Sequence, residues 1–244
     1  VVIPALNEAG NLPFVLPLIP TWVHEVILVD GRSTDGTREL ARELYPSIRV
    51  IMQEGVGKGL ALRSGLAAAT GQIIVTLDAD GSTDPGELPA FVAALLGGAD
   101  FVKGSRFLRG GKTEDMPLYR RLGNSFFVAA VRLLFGGAFT DLCYGYNGFW
   151  ARVVPRLGLD CDGFEVETLM NVRALRAGLT VVEVPSFEHR RVCGAGRLRT
   201  IPDGWRVLRT ILREAFRRPP DAACGPDLDV EPVVPQTQGA STAG

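Results

Sequence analysis

The chain has only two histidines and four cysteines in 244 residues, and neither type is spaced for metal binding. Cys143, Cys161, Cys193 and Cys224 stand far apart with no CxxC pair, which excludes a zinc-ribbon site and points to reduced thiols in a cytosolic protein. His24 and His189 have no partner at ligand spacing. A long clean apolar run is also missing. The most apolar stretch, residues 122–140, is broken by Asn124, Arg132 and the adjacent Gly136 and Gly137, and falls short of the ~20 apolar residues that a transmembrane helix needs. No signal peptide precedes the first strand, and Val1 stands where a start methionine would, so native residues are expected before it. Neither sign of charge dominates: 26 Lys+Arg face 27 Asp+Glu, for a net charge of −1. The composition therefore gives no global sign of nucleic-acid binding, while 46% hydrophobic residues exclude wholesale disorder.

Charge is less even locally. Residues 219–244 hold Asp221, Asp227, Asp229 and Glu231 but no Lys or Arg, which leaves the rest of the chain net positive. Their Pro, Gly, Ser, Thr and Gln content cannot bury enough surface to order itself, so they are expected to be a disordered tail behind a domain of residues 1–218. Residues 187–218, by contrast, are rich in arginine against only Glu188, Asp203 and Glu214. Such a stretch suits an anionic partner such as phosphate or a lipid headgroup, or else forms a solvated helix face.

The first hundred residues alternate β-branched runs with helical patterns, the signature of a mostly parallel central sheet flanked by helices. Strands are expected at residues 1–4, 25–29, 49–52, 72–77 and 99–103, and helices at 11–19, 35–44, 58–69 and 85–96. Asp35 suits an N-cap or first-turn position and Pro85 the first helical position. Residues 116–135 read as one long helix or two short ones. A strand near 146–150, a helix at 165–177, strands at 180–184 and 186–190 and an arginine-rich amphipathic helix at 203–217 follow.

The strongest chemical signal is Leu77-Asp78-Ala79-Asp80-Gly81 after an apolar strand. Two carboxylates one residue apart at a strand's carboxyl end sit where open α/β sheets bind ligands. They suit Mg²⁺ or Mn²⁺ shared with a diphosphate, because these cations keep one or two protein carboxylates and take phosphate oxygens besides. Three more segments converge on the same edge: residues 3–8 ending in Glu8, residues 29–37 beginning Val29-Asp30, and Gly55-Val56-Gly57-Lys58-Gly59 at the start of a helix. The last lacks the spacing of an ATPase phosphate loop. A base and ribose there need acceptors such as Asp30 and Glu8, and a diphosphate needs the cation and a basic group such as Lys58.

In this order, and with Lys103-Gly104-Ser105-Arg106-Phe107, these motifs resemble the family 2 glycosyltransferases of GT-A fold, most of all the polyprenyl- and dolichol-phosphate sugar synthases. The resemblance runs from Val1 to about Arg218. It implies that Pro4, Leu6, Glu8 and Asp30 line a nucleoside pocket and that Asp78, Ala79 and Asp80 hold the metal and the diphosphate of a UDP- or GDP-linked sugar. It also implies that Arg106 lies near the donor and acceptor phosphates. Arg191-Val192-Cys193-Gly194-Ala195-Gly196-Arg197-Leu198 is similar to the family's Arg-Val-x-Gly-x-Ser-Lys-Leu, a mobile loop that closes over phosphates, which makes Arg191 and Arg197 phosphate clamps. Departures exist: Asp30-Gly31-Arg32-Ser33 replaces Asp-Asp-Gly-Ser, Ser82 stands where a metal-binding Gln is usual, and Tyr144-Gly145-Tyr146-Asn147-Gly148-Phe149 replaces the Ser-Gly-Phe-Arg segment.

Residues 119–127 are similar to the amphipathic interface helices of polyprenyl-phosphate enzymes. Aromatics with flanking arginines suit a headgroup region, although a core-facing helix has the same pattern. Glu167 matches a family acid. Glu165 or Glu167 is a candidate general base, needed only for a hydroxyl acceptor, or simply pairs with the helix N-terminus. Asp141 is a further candidate near the acceptor. The expectation is a metal-dependent inverting hexosyltransferase, cytoplasmic with peripheral contact at the inner membrane face, acting on a polyprenyl phosphate. The alternatives are a soluble or polysaccharide hydroxyl acceptor, or a non-catalytic nucleotide-sugar-binding scaffold.

Overall fold

The computed structural model describes residues 1–217. The tail expected at 219–244 lies outside the described residues. A seven-stranded sheet has the order β3-β2-β1-β4-β7-β5-β8. Its strands are β1 (Val2–Ala5), β2 (Ile27–Asp30), β3 (Arg49–Met52), β4 (Ile73–Thr76), β5 (Phe101–Ser105), β7 (Asn147–Trp150) and β8 (Val181–Pro185). All run parallel except β7, which is antiparallel to both β4 and β5. Two short strands, β6 (Lys112–Thr113) and β9 (Phe187–Glu188), pair separately.

Both faces of the sheet are covered, as the side-chain alternation along each strand shows. Ile3, Leu28, Val75 and Val102 enter one core with α3 (Leu88–Leu96). Their neighbours Val2, Ile27, Ile74 and Phe101 enter the other, against α2 (Lys58–Ala68) and α6 (Val166–Arg176). A two-sided buried sheet of this kind requires near-continuous apolar strands. The N-cap of α1 (Thr37–Leu44) is Gly36 and not Asp35, which stands one residue earlier, where its Oδ1 accepts from Thr37 N at 3.1 Å.

The helix expected at 11–19 is instead two 3₁₀ turns, Leu12–Phe14 and Leu16–Leu18. Pro13 and Pro17 are the reason, since each removes an N–H and its ring crowds the preceding turn. Pro85 starts a 3₁₀ turn capped by Asp84, which accepts from Gly86 N at 2.7 Å, before α3 proper. Residues 116–135 resolve into one helix, α4 (Leu118–Phe135), entered from Pro117 and ended by Gly136 at φ +74°. The short α5 (Val154–Leu157) precedes α6. The strand expected at 186–190 shrinks to β9, and the last helix, α7, spans Thr200–Phe216. No helix among the described residues is long and apolar enough to cross a membrane.

A third core holds α4, α6 and α7 together through Val128, Val131, Val172, Val207 and Ile211. Polar contacts complete that junction. Arg173 of α6 donates to Glu214 Oε1 and to Asp160, both at 2.9 Å, while Arg213 and Arg217 reach the same two acids. Two arginines of the basic stretch, Arg213 and Arg217, are thus engaged in tying α7 down. Burial alone would raise the Glu214 carboxyl, but the Arg173 hydrogen bonds and charge outweigh it and hold the group below its ordinary value. Removing one member of a buried ionic cluster leaves an uncompensated charge. Glu214→Ala is therefore expected to lower unfolding stability by about 3–5 kcal/mol in urea titrations at pH 7. In the wild type the contribution of Glu214 is fully present above the unfolded-state value near 4.5 and is lost as pH falls through the lower folded value.

Candidate functional site

A cleft of about 570 Å³ opens at the carboxyl ends of the parallel strands. Its construction begins with two glycines. Gly57 sits at φ +119°, and a Cβ there would come within 2.1 Å of the Asp162 carbonyl oxygen; one on Gly59 would be 2.4 Å from the Cys161 oxygen. Gly59 N donates to Asp162 O at 2.8 Å. The glycine run is a seat for the 161–162 backbone, and it brings the first turn of α6 beside the first turn of α2.

That approach places Lys58 between two carboxylates. Its Nζ is 2.6 Å from Asp78 Oδ1 and 2.5 Å from Glu167 Oε1. Burial disfavours the ammonium, but Asp78 and Glu167 outweigh it and hold Lys58 protonated above the ordinary lysine range. Burial is also the largest effect on Asp78; Lys58 opposes it, Glu167 and Asp80 add to it, and the carboxyl is pushed up to about 6.

Asp80 faces the opposite wall. Its Oδ1 accepts from Ser82 N at 3.0 Å and Ser82 Oγ at 2.7 Å, and its Oδ2 is 3.2 Å from Arg191. Arg191 also lies 2.5 Å from Glu8 Oε2. Four carboxylates, Glu8, Asp78, Asp80 and Glu167, thus meet two cations, Lys58 and Arg191. The residues fit a divalent cation: two hard carboxylates border the cleft, and the negative excess matches a doubly charged ion. Among the described residues no cluster of three acids, histidines or cysteines forms a complete ligand set. An incomplete protein shell suits Mg²⁺ or Mn²⁺ completed by phosphate oxygens and water.

Pro4, Leu6, Glu8, Lys58, Asp78, Ala79, Asp80, Arg106, Glu167, Arg191 and Arg197 all border this cleft. Three expected site residues do not. Asp30 is fully buried at the end of β2, where Oδ2 accepts from Arg32 N and Ser33 N while Oδ1 is left without a hydrogen-bond partner. Glu165 folds back on its own turn and accepts from Gly163 N at 3.3 Å. Asp141 is entirely buried behind Arg106.

Arg106 itself is committed elsewhere. Its Nε and Nη2 donate to Asp141 at 2.7 and 2.9 Å, its Nη1 donates to Glu188 at 2.8 Å, and the guanidinium lies 4.7 Å from the Tyr144 ring centroid. Burial would raise the Asp141 carboxyl, but Arg106 and then Lys103 hold it below the ordinary carboxylate range. Sequence reading placed Arg106 at a phosphate; the structure makes it a buried tie between β5 and β9, with a cleft-facing edge.

Sequence reading overlooked Gly145. A Cβ at this position would stand 2.4 Å from Asp78 Oδ2 and 2.8 Å from Lys58 Nζ. Gly145 thus leaves the space in which the Asp78–Lys58 pair sits. The signal was a glycine between two large aromatics, Tyr144 and Tyr146. Gly145→Ala is expected to cost about 1–3 kcal/mol of stability through overpacking. It should also weaken Mn²⁺ binding about tenfold or more by displacing Asp78, and wild-type affinity in a Mn²⁺ titration would contradict this.

At its other end the cleft runs between α4 and α7, where Tyr119, Arg120, Phe127, Arg199, Arg206 and Val207 line it. Beyond it lie exposed apolar side chains: Leu118, Leu122 and Phe126 on α4, and Ile201, Trp205, Leu212 and Phe216 on α7.

Comparison with known proteins agrees with this geometry. The family model "Glycosyl transferase family 2" matches residues 1–156. An uncharacterized glycosyltransferase of Mycobacterium bovis is 43% identical over 230 residues, covering 85% of this chain and 96% of the relative. The polyprenol monophosphomannose synthase of Mycolicibacterium smegmatis is 31% identical, with 81% and 80% covered. Among solved structures, glucosyl-3-phosphoglycerate synthase from Mycobacterium tuberculosis, in complex with Mn²⁺, UDP-glucose and phosphoglyceric acid, superposes with a TM-score of 0.72 at 25% identity, covering 91% of this chain and 80% of that one. The fold is GT-A, and the chain belongs to glycosyltransferase family 2.

Proposed function

We propose that this enzyme transfers a hexose from a UDP- or GDP-linked sugar to a polyprenyl phosphate at a membrane surface, with inversion at the anomeric carbon. One observation carries the reading: a single cleft joins a carboxylate-rich end at the strand termini to an arginine-lined end between two helices with exposed apolar side chains. The first end suits a cation and a nucleoside diphosphate. The second suits a phosphate on a hydrocarbon chain.

Pro4, Leu6 and Glu8 would border the nucleoside, with Asp30 supporting them from behind. Asp78 and Asp80 would hold Mg²⁺ or Mn²⁺, and Arg191 and Arg197 would clamp the diphosphate. When bound, the cation neutralises the charge that develops on the departing nucleoside diphosphate. An acceptor phosphate oxygen attacks the anomeric carbon in line, forming the new C–O bond as the bond to the diphosphate breaks and its electron pair leaves with the nucleotide. The anionic nucleophile arrives without a proton to lose. Consistent with that, Glu167 is held by Lys58 at 2.5 Å and acts here by positioning that lysine. Arg106 would present its edge to the acceptor side while Asp141 fixes its plane.

The membrane part of the reading rests on α7. Ile201, Trp205, Leu208, Leu212 and Phe216 fall on one helical stripe, beside Arg206, Arg209, Arg213 and Arg217. An apolar stripe edged by cations is the pattern of a helix lying in an anionic headgroup layer. A second reading, transfer to a small soluble phosphorylated acceptor, is favoured by the phosphoglyceric acid bound to the similar synthase. The same arginine-lined end would receive it.

Two measurements test the proposal. Asp80→Ala should lower Mn²⁺-dependent transfer of labelled sugar to polyprenyl phosphate about 100-fold or more, and an unchanged rate would sink it. Co-sedimentation with phosphatidylglycerol vesicles should capture the wild type and about tenfold less of a Leu122→Glu, Trp205→Glu variant. A wild type that ignores the vesicles and uses only soluble acceptors would favour the second reading.

A further inference from the structure

The segment carrying Arg191 and Arg197 resembles a mobile loop, yet its first half is docked on the rest of the protein. On one side it lies along the Asp78–Asp80 turn: His189 N donates to Ser82 O at 2.8 Å and Val192 N to Asp80 O at 3.4 Å. Val192 also covers Gly81, whose φ is +78° and where a Cβ would come within 2.9 Å of Val192 Cγ2.

On the other side the docking depends on one buried amide. Asn11 is 2% exposed. Its Oδ1 accepts from Cys193 N at 2.7 Å, and its Nδ2 donates to Cys193 O at 3.2 Å and to Glu8 Oε2 at 2.5 Å. An amide side chain pairs with both the N–H and the C=O of one residue, so it fixes the direction of that backbone as well as its place. Arg191 closes the circuit, with Nε donating to Cys193 O at 2.7 Å, Nη2 to Glu8 at 2.5 Å and Nη1 to Asp80 at 3.2 Å. Asn11, Glu8, Arg191 and Cys193 therefore form a closed ring of hydrogen bonds beside the two candidate metal ligands.

We infer that Asn11 is a positioning residue for donor binding that acts through Arg191: its amide registers the 191–198 segment so that the Arg191 guanidinium lies across Glu8 and Asp80. The inference rests on the nucleotide-sugar reading of the cleft. Holding the arginine in place before the ligand arrives removes part of the ordering cost that binding otherwise carries. Aspartate at this position would keep the acceptor but lose the donor, and would face Glu8 with a second oxygen.

The test compares wild type, Asn11→Ala, the near-isosteric Asn11→Asp, Arg191→Ala and the Asn11→Ala, Arg191→Ala double variant as full chains. Trypsin without ligand should cut within residues 190–199 about tenfold faster in either Asn11 variant. Titration with UDP or GDP and Mn²⁺ should show about tenfold weaker binding in those variants, and no further loss when Asn11→Ala is added to Arg191→Ala. That non-additivity is expected only of residues acting together. Wild-type cleavage and affinity in a folded Asn11 variant, or fully additive losses in the double variant, overturn the inference while the nucleotide reading stands. A wild type that binds neither UDP nor GDP fails that reading first, and the donor role of Asn11 falls with it.

Discussion

The fold is organised around the compensation of four carboxylates by two cations at the ends of the parallel strands. Glu8 follows β1, Asp78 and Asp80 follow β4, and Glu167 stands in the first turn of α6. Lys58 and Arg191 are the cations that lie between them. Burial raises the Asp78 carboxyl most, and repulsion from Glu167 and Asp80 adds to it against the pull of Lys58. Everything else at this edge serves to hold the charges there. Gly57 and Gly59 admit the backbone that carries α6, Gly145 leaves room for the pair, and Asn11 holds the segment that delivers Arg191. A site left with surplus negative charge is suited to a ligand that brings a cation along with its phosphates.

Eight arginines around the cleft and α7 fall into three groups with different physics. Arg106 and Arg173 are buried and engaged by acids, so both act as structural ties, and Arg106 also borders the cleft. Arg191 and Arg197 border the cleft, one paired and the other exposed at its mouth. Arg206, Arg209, Arg213 and Arg217 edge the apolar stripe of α7, and two of these also contact Asp160 and Glu214. Basic composition alone did not distinguish a phosphate site from a solvated face, because the stretch supplies arginines to both, and Arg213 and Arg217 pair with Asp160 and Glu214 besides. The anchoring of α7 against α6 matters for the cleft, since α7 forms one wall of its second half.

The motifs at the strand ends were legible because a strand terminus and the residues after it are local features. Glu8, Lys58, Asp78 and Asp80 could be assigned to one edge from their order, Glu167 and Arg191 entered through the family resemblance, and the structure brings all six together. What stayed hidden depends on partners far away in sequence. Arg106 carries a motif arginine, but its engagement by Asp141 and Glu188 is set by the meeting of β5, β9 and the turn before β7. Asp30 reads as a pocket acid, yet two backbone N–H groups of its own turn draw it inward. Glu167 matched a family acid, but either Glu165 or Glu167 remained a candidate base until the helix began between them and turned Glu167 toward Lys58. The residues 11–19 had a helical apolar pattern, and the two prolines within it decided the outcome. Gly145 and Asn11 are small or polar positions whose value lies in what they touch.

The central claim is that the carboxylate-rich end of the cleft receives a nucleoside diphosphate sugar together with a divalent cation. Thermal unfolding with a panel of UDP-, GDP- and dTDP-sugars, with Mn²⁺ and again with a chelator, tests it most directly, because a ligand that binds the native state raises its melting temperature. A clear rise with a UDP- or GDP-sugar in Mn²⁺ that vanishes on chelation is the predicted result. No rise with any nucleotide sugar, or a rise indifferent to the chelator, would contradict it.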